Sequence, residues 1–293
     1  MNVKHTSKSP LSQTEHLVFA PLTSSKRAAG NDNGPSDIRL DQYYTELDVA
    51  ANLYRIFREH FDPTRYLMVE PSAGDGSFFR LLPARSVAYD LEPKYPGIRT
   101  ADFLKVKIES VRQIAIIGNP PYGKNASMAV RFFNHAARQS SVIALIVPKT
   151  FRKTSIRNRL DPAFHLLREE PVPENAFRFR GKAYHVPATF QIWERRPEPR
   201  ELLPVETRHP DFEFTTPDRA DFAIQRVGAR AGRVHQDFTR SASAHYFIRG
   251  NVATVMVQLD FARVVGNVAG NPSLSKSEIV SLYRDWTKLQ GDT

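Results

Sequence analysis

The chain has 293 residues, 41% of them hydrophobic and 25% charged, the balance of an ordinary soluble protein built as one α/β domain with a smaller appendage. It contains no cysteine, which excludes disulfides, zinc–thiolate sites and thiol catalysis; it also has no apolar run long enough to span a bilayer and no signal-peptide core, so an unexported, cytoplasmic protein without a membrane partner is expected. Its 41 Lys and Arg against 31 Asp and Glu give a formal charge of +10, a surplus that favours a polyanionic partner such as nucleic acid, although the same charge also serves solubility.

Residues 1–37, ending in "SSKRAAGNDNGPSD", are polar and aperiodic, which predicts a flexible tail. From residue 42, "QYYTELDVAANLYRIFREHF" places apolar residues at helical spacing from Val49 to Phe57. Strand "YLMVE" (66–70), a helix from about Ser77, strands "SVAYD" (86–90) and "QIAIIG" (113–118), a helix over 126–138 and strand "SVIALIV" (141–147) follow, then the β-like runs "FHLLREE" and "ATFQIWER". This alternation predicts an α/β fold with a parallel, doubly wound sheet covered by helices on both faces. The charged, proline-rich "RRPEPRELLP" (195–204) reads as a linker, dividing a first domain at 38–198 from a smaller region at 199–293. That region mixes β-like "HYFIRG" and "VATVMVQLDF" with a helix-like "SKSEIVSLYRDW".

The first strand runs into "VEPSAGDGSF" (69–78), where Ser72, Ala73, Gly74 and Gly76 let the backbone pass close to a ligand. Any tight turn needs glycine, but a strand-to-helix turn at the carboxyl edge of such a sheet is also where doubly wound folds hold nucleotide-like molecules. The next strand ends in "YDLEP", which places Asp90 about 20 residues further on, where an acidic side chain accepts from ribose hydroxyls. Leu91 then lies beside the purine. Glu70 and Asp75, with no lysine and no Walker pattern, suit a cationic ligand better than a pyrophosphate. S-adenosylmethionine, with its sulfonium and ammonium groups, is such a ligand.

Five segments in this order carry a resemblance: "QYYT" (42–45, with Tyr44 and Thr45), "EPSAGDGSF", "YDLEP", "ADFL" (101–104) and "NPPY" (119–122). The chain resembles the N6-adenine DNA methyltransferases of the class I S-adenosylmethionine-dependent family over residues 42–195, in the gamma order that puts target recognition after the catalytic domain. The resemblance implies a Rossmann-like methyltransferase sheet. It also implies a cofactor site made of Tyr44, Thr45, Glu70, the 72–76 loop, Asp90, Leu91, Asp102, Phe103 and Asn119.

Adenine's exocyclic nitrogen is a poor nucleophile because its lone pair is delocalised into the ring. Under the resemblance, the Asn119 side-chain oxygen and the Pro120 carbonyl accept its two hydrogens and draw the lone pair out of conjugation, which works only if both acceptors are rigidly placed. Pro120 and Pro121 supply that stiffness, since proline fixes its own φ and restricts the residue before it. Tyr122 offers a ring face to an extruded base. A second face comes from Phe177, Phe179 or Tyr184, with Tyr184 favoured by its offset before "ATFQIW". Lys124 is placed to hold a phosphate or to stand in solvent. No metal site is expected, since the histidines are scattered without ligand spacing.

In "QRVGARAGRVHQDFTR" (225–240), Arg226, Arg230 and Arg233 stand among glycines as a surface loop or as contacts to a nucleic-acid backbone. Three other readings compete. The same "NPPY" turn serves methyl transfer to adenine in RNA and to protein glutamine, but the glutamine reading lacks its usual helical domain ahead of the catalytic one. A binding module without catalysis would be expected to lose Asp90 or Asn119.

Overall fold

The computed structural model describes residues 43–179 and 181–291; the tail expected at 1–37 lies outside them. A two-residue strand, β1 (Tyr44–Thr45), leads into helix α1 (Leu47–His60). Ala50, Leu53, Tyr54 and Phe57 recur at steps of three and four and are buried, so one stripe of the helix faces the core. The helix stops before Pro63, which opens a 3-10 turn whose Asp62 carboxylate accepts from the Thr64 N–H at 2.9 Å, because proline cannot continue the helical ladder.

Strands β2 (Tyr66–Glu70), β3 (Val87–Asp90), β4 (Arg99–Thr100) and β5 (Gln113–Gly118) come next, then helix α2 (Ser127–Ala137) and strand β6 (Val142–Pro148). The short helix α3 (Thr154–Arg157) precedes β7 (Phe164–Pro171), β8 (Phe177–Phe179), β9 (Lys182–Tyr184) and β10 (Ala188–Arg195). The helix expected from Ser77 is absent. Only one 3-10 turn, Phe79–Leu81, forms there, because Pro83 follows too soon after Gly76 for a helix to nucleate.

The main sheet has the order β4-β3-β2-β5-β6-β10-β7. Its first five strands are parallel, but β10 runs antiparallel to both β6 and β7. The expectation of a wholly parallel sheet is therefore corrected at one edge. The chain from β7 to β10 carries strands β8 and β9 and no crossover helix, and a connection without a crossover returns the chain antiparallel.

Both faces of the sheet are covered. Along β6, Val142, Ala144 and Ile146 join the cluster under α1, while Ile143, Leu145 and Val147 join the cluster under α2. This is why β6 reads as an unbroken apolar run. Phe57 and Phe133, at the centres of the two clusters, are fully buried, and truncating either to alanine is worth about 3–5 kcal/mol.

The C-terminal strands β11 (Glu213–Thr215), β12 (Phe222–Gln225), β13 (Val234–His235) and β14 (His245–Arg249) form an antiparallel sheet of order β11-β14-β12-β13. Helices α4 (Ala253–Gln258), α5 (Ala262–Val265) and α6 (Lys276–Gly291) follow. Residues between Phe212 and Tyr283 build a hydrophobic cluster of their own. "VATVMVQLDF" is helical, not β: Val252, Met256 and Leu259, all buried, stand at steps of four and three, a helical period that outweighs the β-branched composition. Helix α6 opens on a capping box, in which the Glu278 N–H donates to Ser275 Oγ at 3.3 Å and the Ser275 N–H to Glu278 Oε2 at 2.8 Å. No described helix is long and apolar enough to cross a membrane.

Candidate active site

The chain leaves β2 toward β3 and β4 on one side, while β5 and β6 lie on the other. The order thus reverses between β2 and β5, and the carboxyl ends of two such strands leave a crevice where doubly wound folds bind ligands. The glycine-rich loop follows β2 and the Asn119–Tyr122 turn follows β5, so both motifs reach this crevice. The Ser72 hydroxyl donates to the Asn119 carbonyl at 2.9 Å and joins them.

Asn119 is held by its amide nitrogen. Nδ2 donates to the Tyr43 carbonyl at 3.4 Å and to Thr45 Oγ1 at 3.3 Å. A carbonyl can only accept, so the side-chain orientation follows from chemistry. Asn119 Oδ1 is left buried with no hydrogen-bond partner among the described residues, a state that costs about 1–3 kcal/mol. Pro120 beside it is buried and Pro121 partly so.

The Tyr122 ring is partly exposed and packs against both cores of the sheet, but its hydroxyl is buried and unpartnered. Burial pushes that hydroxyl's pKa far above the ordinary tyrosine range. The Tyr122 carbonyl accepts from Met128 and Ala129 at 3.0 and 3.3 Å, anchoring the turn on the first turn of α2. Between them, Asn125 and Ala126 have φ of 52° and 58°, left-handed values that a non-glycine backbone holds only under constraint, as at functional sites. Lys124 is exposed beside the turn.

Glu70 ends β2 at 2% exposure, with Oε2 unpartnered. Burial is the main cause that pushes its carboxyl well above the carboxylate range; the Phe79 N–H opposes the rise, and Asp75 and Asp90 add to it. Gly74, at φ +51°, passes so close to Tyr44 that a Cβ would lie 2.7 Å from the Tyr44 ring. Its N–H donates to Asp90 Oδ2 at 2.8 Å, and the Glu92 N–H donates to Oδ1 at 2.8 Å. Each Asp90 oxygen keeps a second lone pair for a ligand. Asp75 accepts from Ser77 Oγ at 2.7 Å and from Arg178 at 2.9 Å. The Tyr44 hydroxyl is shifted upward by burial and then by Asp90, Asp75 and Glu92, so the crevice is ringed with carboxylates.

Among the other expected cofactor residues, Ala73 and Gly76 are buried in the loop, and Leu91 is 50% exposed beside Asp90. Asp102 caps a 3-10 turn by accepting from the Leu104 N–H at 3.1 Å. The Phe103 ring, at 1% exposure, stacks on Phe132 at 5.6 Å and meets His135 edge-on at 5.0 Å, so the side chain is core beneath α2 and only its backbone is left for a ligand.

Strands β1, β8 and β9 form a small sheet that the sequence reading did not contain. It gathers an aromatic corner: the Tyr43 ring lies 5.0 Å from Phe179 and 5.1 Å from Tyr184. Tyr184 is 42% exposed, whereas Phe177 is buried at 2%. Tyr43 and Arg178 are the residues missed. Arg178 pairs with Asp75 at 2.9 Å and Glu46 at 3.0 Å, fastening this sheet to the loop. The alternation of "FRF" and "KAY" around Gly181 was the available signal.

Arg226, Arg230 and Arg233 lie in the C-terminal sheet region. Arg226 is partly exposed; its Nη1 donates to the Ser243 carbonyl at 3.0 Å and its guanidinium lies 5.1 Å from the Tyr246 ring centroid. Arg230 and Arg233 are exposed.

No family model and no curated protein matches the chain. Among solved structures it is similar to a candidate RNA methyltransferase from Pyrococcus horikoshii, with 16% identity, TM-score 0.41 and coverage of 53% of this chain and 87% of that one. It is also similar to the modification subunit of a candidate type I restriction enzyme from Vibrio vulnificus, at 14% identity and TM-score 0.41, covering 55% of this chain and 46% of that one. A third is the magnesium protoporphyrin IX methyltransferase of Synechocystis with bound SAM, at 11% identity and TM-score 0.33, covering 51% of this chain and 78% of that one. At TM-scores this low the likenesses carry no weight for function; the residues of the site do.

Proposed function

We propose that the protein is an S-adenosylmethionine-dependent methyltransferase that modifies the N6 amine of adenine in DNA. The observation that carries this reading is Asn119 Oδ1, a buried acceptor without a donor, fixed through Nδ2 on a turn stiffened by two prolines. An amine hydrogen satisfies it.

The crevice suits a cationic nucleoside. Glu70 Oε2 is a buried oxygen without a partner, and a nearby cation would restore its charged form. Asp90 retains acceptor capacity for hydroxyls, and Gly74 brings backbone close to whatever lies above the loop. S-adenosylmethionine, when bound, supplies an electrophilic methyl group. Asn119 Oδ1 and the Pro120 carbonyl hold the two N6 hydrogens and turn the nitrogen lone pair out of the ring; because they are placed in advance, no reorganisation is needed as charge develops. Tyr122 and the Tyr43–Phe179–Tyr184 corner hold the base outside its stack. Residues 199–293 serve target recognition in this reading.

The test is incubation with tritiated S-adenosylmethionine and parallel DNA and RNA substrates, followed by digestion to nucleosides. Label in N6-methyldeoxyadenosine is expected. Label only in the RNA arm would move the substrate, and label in neither would overturn the reading.

A further inference from the structure

A second site stands apart from the crevice, at one end of the C-terminal sheet. His235 ends β13 and His245 begins β14; with Arg230, Arg233, Asp237 and Arg240 they line a cleft of about 300 Å³. The loop from β12 to β13 is ordered by its backbone: the Gly232 N–H donates to the Gln225 carbonyl at 2.8 Å, the Gln225 N–H to the Arg233 carbonyl at 2.9 Å, and the Gly228 N–H to the Pro272 carbonyl at 2.9 Å. Gly232 has φ +96°, and a Cβ there would lie 2.6 Å from Phe261 Cβ, so the loop is pressed against the core.

From this fixed loop Arg230 and Arg233 project into solvent, and neither side chain makes a hydrogen bond or ion pair within the described residues. Arg240 pairs with Asp237 Oδ2 at 2.7 Å, and Thr239 Oγ1 donates to Oδ1 at 2.6 Å. The cleft's one carboxylate is therefore occupied, and two guanidiniums remain without a counter-charge.

The histidines add donors. His235 Nδ1 accepts from the Asp237 N–H at 3.1 Å, so the neutral ring carries its proton on Nε2 and donates without being charged. Burial and then His245 lower its pKa, with Arg233 and Arg240 acting in the same direction and Asp237 against them. His245 Nδ1 lies 3.0 Å from the Ser241 carbonyl and must donate to it, which fixes the ring. The two rings meet edge to face at 5.1 Å. Among the described residues no group of three or more His or acidic side chains is arranged to hold a metal ion. The chemistry that matches is an oxyanion, which planar guanidiniums bind through paired N–H groups.

We propose that this cleft is a phosphate site that holds a backbone phosphate of a polynucleotide strand, with Arg230 and Arg233 as its cationic pair and His235 Nε2–H as a further donor. The inference rests on the reading that the chain acts on nucleic acid, and its test keeps the two apart. Fluorescence anisotropy of a labelled DNA duplex is measured with the full chain over a series of salt concentrations, beside calorimetry with inorganic phosphate and, separately, with S-adenosylmethionine.

In the R230Q/R233Q variant, duplex affinity is expected to fall tenfold or more, and the slope of log affinity against log salt to drop by about 0.9, the share of one phosphate contact. Inorganic phosphate binding should vanish and S-adenosylmethionine binding should not change. Loss of phosphate binding with unchanged duplex affinity would overturn the polynucleotide as occupant in favour of a free phosphate. Unchanged affinity for both would overturn the site. A wild type that binds no S-adenosylmethionine, while R230Q/R233Q loses the duplex, would remove the methyltransferase reading and leave the cleft standing.

Discussion

Ser72 and Asn119 lie 47 residues apart, and the Ser72 hydroxyl donates a 2.9 Å hydrogen bond to the Asn119 carbonyl. The bond makes the loop after β2 and the turn after β5 one unit. A ligand that fixes the loop also fixes the carbonyl side of the turn, while Tyr43 and Thr45 fix the amide side.

Asn119→Ala is expected to lower kcat about 10²-fold or more while leaving S-adenosylmethionine affinity nearly intact, because the lost acceptor acts on the transition state. Thr45→Val removes one of the two anchors of Nδ2 and should lower kcat by about tenfold with KM for DNA unchanged, a loss of alignment only. Single-turnover methylation with calorimetry separates chemistry from binding. Wild-type turnover in Asn119→Ala would take the turn out of the chemistry.

Tyr122→Phe deletes a buried hydroxyl that has no partner, so urea unfolding should show it more stable by about 1 kcal/mol. Methylation should survive, since the ring face does the holding. Tyr122→Ala should weaken binding of an extruded base by roughly 1–3 kcal/mol, read by 2-aminopurine fluorescence. A Phe variant as inactive as the Ala variant would give the hydroxyl a role.

For Glu70 the sign follows from linkage. Its folded pKa is raised, so the native state holds the proton more tightly than the unfolded chain; the stability this contributes is complete below the ordinary carboxylate range and is lost as pH rises through the raised value. Glu70→Gln should therefore melt close to the wild type near about pH 4 and above it at pH 8. The same variant should bind S-adenosylmethionine more weakly at pH 8, having lost the charge that faces a cation. A melting gap that narrows with rising pH would contradict the burial argument.

Lys153 Nζ lies 3.0 Å from both Glu278 oxygens, with the side chains 16% and 13% exposed, and Glu278 is also the capping-box residue of α6. Glu278→Ala thus removes a cap and strands a largely buried cation, a combined cost of about 3 kcal/mol. Lys153→Met should cost less. A double-mutant cycle by chemical denaturation should give a coupling of about 1 kcal/mol or more; additive losses would mean that the pair does not tie the C-terminal region to the start of α3.

The sequence by itself determined strands β2, β3, β5, β6, β7 and β10 of the main sheet, the two covering helices and the identity of the turn, because these are local: the apolar runs of β5 and β6, the helical period of α1 and the two prolines act within a few residues. It also placed Asp90 and Asn119 at strand ends, from which a doubly wound order brings them together. What it did not contain were relations between distant segments. The pairing of β1 with β8 builds the Tyr43–Phe179–Tyr184 corner, and Arg178 reaches Asp75 across 103 residues. The antiparallel insertion of β10 depends on a missing crossover, and the helical state of 253–258 on a core that only the folded C-terminal region supplies. Phe103 and Arg226 carry the same lesson: an aromatic or basic side chain reads alike in a motif whether it faces a ligand or its own protein. Only the folded chain shows that the Phe103 ring packs between Phe132 and His135 and that the Arg226 guanidinium lies against Ser243 and Tyr246, because those contacts join segments distant in sequence.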